Sequence, residues 1–347
     1  MTAVSPSNFP DAEQGVDNPE GFRQIRHLYW DLHPLPLPPA GPPTWEVVAT
    51  VKAPTDQIAR FAAWHLDLGA DRVTLYFDAP DPAQIDALRH PRITAHACDA
   101  AHWDKRRGRP ETHQLRQARN ATETWRHCSA EWLAHIDVDE FLLPPAPMAT
   151  LLAEAPADCA MIHLPPVEQL SGGNGHLFKR TARAAGHKST VLSDVYPTFG
   201  QYLRGGFLSH LEGKHLLRAG GKPRAERVRF GIHGAFWQGQ EISNRVHWPD
   251  LPMGHAHAPD WQSFVDHLAF RRSKGSYRNR DKTGFRLAEL IDFLEESEGE
   301  AGIRQLYSEV AEATPDLIAR LDAHGMLLRY PLDTVTALKR HFPDLAP

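Results

Sequence analysis

The sharpest chemistry in the sequence is the octapeptide His135-Ile136-Asp137-Val138-Asp139-Glu140-Phe141-Leu142. Along an extended chain, residues two apart project to the same side. Asp137 and Asp139 are therefore expected to point together while Val138 faces the core. Two neighbouring carboxylates repel each other unless a cation lies between or near them. Oxygen ligands of this kind suit Mg2+ or Mn2+. Such an ion can bridge the two phosphates of a nucleoside-diphosphate sugar and stabilise the charge that develops on the leaving diphosphate.

A bare Asp-x-Asp also describes a solvated acidic loop. Here it follows one apolar run and leads into another. Two rival metal motifs fail. A calcium-binding EF-hand loop needs Gly at its sixth place and Glu at its twelfth; counted from Asp137, those places hold Leu142 and Met148. A haloacid-dehalogenase-type phosphatase carries its Asp-x-Asp on the first strand of the fold, whereas three expected strands precede Asp137.

Those strands are the elements that must position the acidic pair. Trp45–Val51 (WEVVATV) is a short β-branched apolar run and reads as a buried strand. Pro54, Thr55 and Asp56 then start a helix on which Ile58, Phe61, His65 and Leu68 recur at helical spacing, with Gly69 placed to end it. Arg72–Phe77 reads as a second strand, Asp81 and Pro82 open a short helix, and Ile93–Ala97 is a third strand. Residues 111–128 form a longer helix, and residues 131–136 a fourth strand that runs into Asp137. This alternation predicts an α/β fold with a mostly parallel central sheet flanked by helices. Ligands of such sheets sit beyond the carboxyl ends of the strands. Asp78 and Asp137 fall at such ends, and Lys52 lies just past another.

After Asp139 the alternation stops. Residues 165–250 are rich in Gly, Pro, His and Arg, and loops with an irregular sheet are expected there. Trp261–Ser273 and residues 284–296, 300–311 and 315–324 read as helices. The expected organisation is a Pro-rich arm over 1–43, a main domain over 44–275 and a C-terminal helical appendage over 276–347.

Composition narrows the function classes. The 347 residues are 41% hydrophobic and 23% charged, as in an ordinary globular chain. Net charge is -5, from 38 basic and 43 acidic residues, which argues against a nucleic-acid partner. Cys98, Cys128 and Cys159 lie far apart with no C-x-x-C pair, so neither a thiolate zinc site nor a disulfide scaffold is expected. No run approaches a membrane span, and residues 1–18 lack an apolar signal core. A cytoplasmic location is expected, with peripheral membrane contact still compatible.

The stretch WEVVATVKAPTDQIARFAAWHLDLGADRVTLYFDAP resembles the opening of family-2-like glycosyltransferases of the GT-A fold, including their "WH-x-x-LG" element, here Trp64 to Gly69. HIDVDEFLLP resembles the metal motif of the same group. The intervening helix carries His113-Gln114-Leu115-Arg116-Gln117 and Asn120, as that group's helix often does. SHLEGKHLLRAG resembles its "GH-x-x-GK-x-x-x-R" segment, Gly231-Ile232-His233-Gly234 an "IH" element, and MGHAHAPDWQSFVDHLAFRR a late "LLHFD" element. The resemblance covers roughly residues 44–275.

What the resemblance implies is a metal-dependent sugar transfer, with inversion, from a nucleoside-diphosphate sugar to a glycan or other hydroxyl acceptor. A late His or Asp completes the metal site in such enzymes, which nominates His255, with His257 as the fallback. An imidazole beside two carboxylates tilts the preference towards Mn2+. Asp78 would accept hydrogen bonds from the base or ribose, or merely form a turn before Ala79-Pro80. Lys52, Arg116 and Asn120 would face the nucleotide and its phosphates. Lys214 and Arg218 would neutralise diphosphate or bind an acidic acceptor. Glu168 and Asp194 are the two candidates for the base that takes the acceptor's proton.

Two other readings compete. A sugar-phosphate nucleotidyltransferase also uses a metal on an α/β sheet but carries a glycine-rich phosphate loop after its first strand, where this chain has Lys52-Ala53-Pro54-Thr55. A non-catalytic carbohydrate-binding protein on the same fold has no need of the intact Asp137 and Asp139.

Overall fold

A computed structural model describes residues 16–17, 23–25, 41–219, 228–237, 239–242, 245–273, 277 and 287–346. Trp45–Val51 is the central strand of its largest sheet. It pairs in parallel with Arg72–Phe77 on one side and with Trp132–His135 on the other, and Arg72–Phe77 pairs in parallel with Ile93–Ala97. Val47, Val48, Ala49 and Val51 are all buried, because helices and loops cover both faces. The helix Thr55–Asp67 turns Ile58, Phe61, Ala62 and His65 into one core. It ends at Gly69, whose φ of +92° favours a residue without Cβ. The next helix, Pro82–Ala87, is capped by the Asp81 carboxylate, which accepts from the Ala83 N–H at 2.9 Å.

These four strands are the parallel half of the mostly parallel sheet expected from the sequence, and Arg245–His247 beside Met161–Leu164 adds one more parallel pair. Beyond Trp132–His135 the nine-stranded sheet continues with Lys214–Arg218 and Met161–Leu164, each antiparallel to its predecessor, then Arg245–His247, Arg23–Ile25 and Val16–Asp17. A parallel neighbour needs a crossover, usually a helix, whereas antiparallel neighbours accept other connections. Between Asp139 and Met253 the described residues form only the short α-helices Met148–Ala153 and Leu192–Val195, and the pairing changes with them.

The stretch after the acidic motif also builds a second, five-stranded sheet. Its order is Leu327–Arg329, Leu177–Lys179, Pro166–Gln169, Met253–His255, Glu140–Leu142. A hairpin of Val228–Phe230 and Ala235–Trp237 lies against the helix His113–His127, where the Phe230 N–H donates to Thr122 Oγ1 at 2.9 Å. The hairpin's strand Val228–Phe230 joins a core with Trp125 and Leu133.

The C-terminal region is no appendage. Leu327–Arg329 is an edge strand of the second sheet, and the helix Thr334–His341 packs on Thr55–Asp67 through Ala337 and Leu338. The helices Leu287–Glu298, Glu300–Val310 and Pro315–Ala323 share one core with Phe264 and Leu268 of Trp261–Ser273. Each buries an apolar stripe that one layer could not cover alone. The boundary expected at 275/276 lies outside the described residues, as does nearly all of the Pro-rich arm over 1–43. Among the described residues no helix is long and apolar enough to cross a membrane.

Candidate metal centre

The strand leading to the acidic motif ends at His135, and the motif itself is a tight turn rather than the extended segment expected. The Glu140 N–H donates to the Asp137 carbonyl at 3.0 Å, and the Asp137 N–H donates back to Glu140 Oε2 at 2.7 Å. Reciprocal bonding of this kind satisfies both backbone groups locally and fixes the loop. Val138 packs against the main core. The side chains of Asp137 and Asp139 remain 26% and 34% exposed, so both reach solvent at the carboxyl end of the parallel strands.

The second sheet brings further groups to this turn. Met253–His255 pairs with Glu140–Leu142 on one side and Pro166–Gln169 on the other, so Glu140, His255 and Glu168 stand abreast. His255 Nε2 lies 3.4 Å from Asp139 Oδ2. Burial alone would lower the His255 pKa, but the Asp139 and Glu140 carboxylates hold it up at about 9. Burial pushes Glu140 up to about 7 against the pull of Lys214, with Asp137 adding to the rise.

Register also decides what happens to the two basic residues at 214 and 218. Lys214–Arg218 runs antiparallel to Trp132–His135, with His215 opposite His135 and Arg218 opposite Trp132. Lys214 therefore emerges beside the acidic turn. Its ammonium lies 2.6 Å from Asp137 Oδ2 and 3.4 Å from Glu140 Oε2. Gln117 donates to the other Asp137 oxygen at 2.6 Å. Burial works against the Asp137 charge, yet Lys214 beside it holds that carboxyl well below the usual range. Arg218 sits about 13 Å along the strand, at 3.3 Å per residue. It lies over the Trp132 ring and donates to the carbonyls of Pro156 and Ala157, with Glu131 3.4 Å away. The structure does not bring Arg218 to the site.

Three ligand atoms, one each from Glu140, His210 and His255, lie within 4.8 Å of one another. Glu140 Oε1, His210 Nδ1 and His255 Nδ1 are buried and have no hydrogen-bond partner. A buried polar atom without a partner costs about 1–3 kcal/mol, and each of these three residues carries one, so a cation held by the trio could satisfy them. Two imidazoles and carboxylate oxygen suit Mn2+ or Zn2+ better than Mg2+. Of the ligands expected from the sequence, His255 belongs to this trio and Asp139 touches it. Asp137 is held aside by Lys214 and Gln117. The fallback, His257, is turned away, with its Nε2 2.9 Å from the Tyr277 hydroxyl. His210 and Glu140 are ligand candidates that sequence spacing alone did not single out. The only signal was their presence inside the two matched segments.

The other expected residues divide between the cleft and elsewhere. Asp78 ends the strand Arg72–Phe77 and is clamped by two guanidinium groups. Arg116 donates to both its oxygens at 2.7 and 2.8 Å, and Arg109 donates to Oδ1 at 2.9 Å. Arg116 and Gln117, adjacent on one helix, thus hold the carboxylates at two strand ends. Those strands lie two places apart in the sheet, about 10 Å at the usual spacing. Asn120 is buried and donates to Thr50 Oγ1 at 3.0 Å, so it braces the sheet rather than facing solvent. Lys52 is exposed just past the central strand.

Neither expected base is presented as one. Glu168 is buried; Oε2 lies 2.9 Å from the Lys179 ammonium and accepts the Leu208 N–H, while Oε1 accepts the Ser209 N–H. These bonds outweigh its burial and hold its pKa below the ordinary value. They also fix the chain immediately before His210. Asp194 is exposed on the short helix Leu192–Val195, which packs against Pro315–Ala323.

The Trp64-His65 pair has a structural task at the centre. Trp64 Nε1–H donates to the Leu142 carbonyl at 2.9 Å, and the Leu142 N–H donates to His65 Nε2 at 3.4 Å. Both backbone groups of Leu142, two residues past Glu140, are gripped by one helix.

No protein-family model matches the chain, and no curated protein matches it. Among solved structures it is similar to the mannosyltransferase PcManGT from Pyrobaculum calidifontis in complex with GDP-Man and Mn2+. The two share 13% identity and a TM-score of 0.34, over 91% of this chain and 90% of that one.

Proposed function

We propose that the protein is a divalent-metal-dependent glycosyltransferase of GT-A type, moving a sugar from a nucleoside-diphosphate sugar to a hydroxyl acceptor such as a glycan. The observation that carries this reading is the grouping of ligand atoms from Glu140, His210 and His255, each residue also bearing an unpartnered buried atom, beside the Asp137–Asp139 turn at the carboxyl edge of a parallel sheet. Asp139, Glu140, His210 and His255 would hold the cation, Mn2+ before Mg2+. When bound, that ion would neutralise charge developing on the leaving diphosphate.

The chain's own groups support the remaining tasks. Lys214, already paired with Asp137, would share its ammonium with the diphosphate. The Asp78–Arg109–Arg116 cluster, two strands away, would bind the nucleoside end. Lys52 stands exposed just past the end of the strand between them. Asp137 would stay ionised throughout as the counter-ion that keeps Lys214 and Gln117 in place.

A thermal-shift and calorimetry screen of nucleoside diphosphates, with Mn2+ and with chelator, tests this function. One nucleoside diphosphate should stabilise the protein only when metal is present, and Asp139→Ala should remove that stabilisation while leaving the fold intact. Equal binding by parent and variant, or binding indifferent to metal, refutes the assignment.

A further inference from the structure

A second group of potential ligands lies outside the centre just described. His210, Glu212 and His233 each offer one ligand atom, and these atoms lie within 4.8 Å of one another. His210 and His233 have their rings 4.6 Å apart. Glu212 is exposed, and the two histidines are partly buried.

Two observations point to a ligand here rather than to a chance grouping. His233 Nδ1 lies 3.0 Å from the Gly213 carbonyl. A carbonyl only accepts, so Nδ1 carries the proton and Nε2 carries the lone pair. This is how protein metal sites fix the tautomer of a ligating histidine. His210, for its part, has a buried Nδ1 with no partner; that ring is also offered to the inner centre, so the two ions would compete for it. Burial, with the Lys214 ammonium adding to it, lowers the proton affinity of both rings. That ammonium is already neutralised by Asp137 and Glu140, and Glu212 adds a further negative charge.

We propose that His210, Glu212 and His233 bind a divalent transition-metal ion, Zn2+ by donor chemistry, as a clip on the rim of the cleft. Two imidazoles and one carboxylate give zinc three ligands and leave a fourth place for water. The clip joins two segments distant in sequence. His210 and Glu212 precede the strand Lys214–Arg218, and His233 sits in the 231–234 turn of the hairpin Val228–Phe230/Ala235–Trp237. A bound ion would pin that turn to the segment that delivers Lys214 to the acidic turn. The site does not depend on sugar transfer; it shares only His210 with the inner centre.

The test uses the full chain, stripped by chelator and titrated with Zn2+ by calorimetry, with Co2+ absorption as an independent reading of imidazole ligation. Glu212→Ala and His233→Ala should each lose one zinc equivalent. The loss should exceed the roughly 10- to 100-fold weakening that removal of an outer-shell partner causes. Asp139→Ala should keep that equivalent, which separates this site from the inner one. Glu212 is exposed, so its replacement leaves the fold intact and remains informative if His233→Ala misfolds. Zinc binding by Glu212→Ala with the parent's affinity and stoichiometry overturns the proposal. So does a loss of this equivalent in Asp139→Ala.

Discussion

The Lys214 ammonium, fully buried, lies 2.6 Å from Asp137 Oδ2. It is the fixed counter-ion of the acidic turn, and Glu140 shares it at 3.4 Å. Removing one partner of a buried ion cluster strands the others, at a cost of about 3–5 kcal/mol. Lys214→Met should therefore lower the unfolding free energy by that amount in chelator, measured by urea titration. Mn2+ should restore part of it, because the cation would replace the missing charge. A loss below about 1 kcal/mol would return Lys214 to the status of an ordinary surface-type pair.

Arg218 supplies the contrast. It belongs to the same strand but pairs with Glu131 at the far end. Arg218→Ala should cost stability, about 3 kcal/mol, by stranding Glu131. It should leave the metal-dependent stabilisation by a nucleoside diphosphate unchanged. Loss of that stabilisation in a folded Arg218→Ala protein would show that the diphosphate reaches the other end of the strand.

Glu168 and Lys179 should behave as a pair. Glu168→Gln leaves the Lys179 ammonium, buried and bonded to the carbonyls of Gly206 and Val310, without its counter-charge. The single variant should be destabilised by about 3 kcal/mol or more. Combining it with Lys179→Met should recover a coupling energy of about 1–3 kcal/mol in a double-mutant cycle. Were Glu168 the base that takes the acceptor's proton, Glu168→Gln would instead abolish turnover with stability nearly intact.

Acid should weaken the fold through its buried histidines. Burial lowers His65 to about 4 and His163 to about 3. His65 also bonds as a neutral ring, donating from Nδ1 to the Phe61 carbonyl and accepting the Leu142 N–H at Nε2. Unfolded, such groups titrate near 6.5. Below that value the unfolded chain binds more protons than the fold, so their contribution is intact above about pH 6.5. It is lost as pH falls towards about 4 and then 3. For His65 the full loss is roughly 3 kcal/mol, at about 1.4 kcal/mol per unit of pKa difference. Denaturant titrations between about pH 7 and pH 4 should show the decline, and His65→Gln should flatten it. A parent and variant with equal slopes would remove His65 from the explanation.

Much of the first half of the fold was legible because its signals are local. WEVVATV and RVTLYF read as strands, and the spacing of Ile58, Phe61 and His65 read as a helix face. Asp81-Pro82 read as a helix start. Each appears in the structure within a residue or two. The later half was not legible in this way. Its strands are two to five residues long, and their partners are set by pairing rather than by periodicity. The acidic motif was read as extended, since a period of two predicts nothing about a turn closed by the Glu140 side chain. The Trp64-His65 dipeptide was recognisable as a motif, but its partner, Leu142, lies 78 and 77 residues away.

The amino-acid sequence alone determined that Asp137 and Asp139 would follow a buried parallel strand. It did so because strand periodicity and helix spacing act over a few residues. Only the tertiary structure decided that Lys214 reaches this turn while Arg218 does not, and that His210 and His255 join it while His257 turns away. Those outcomes rest on strand register and on which sheet each segment enters. A shift of one residue along a strand moves a side chain to the opposite face, and no local pattern records that choice.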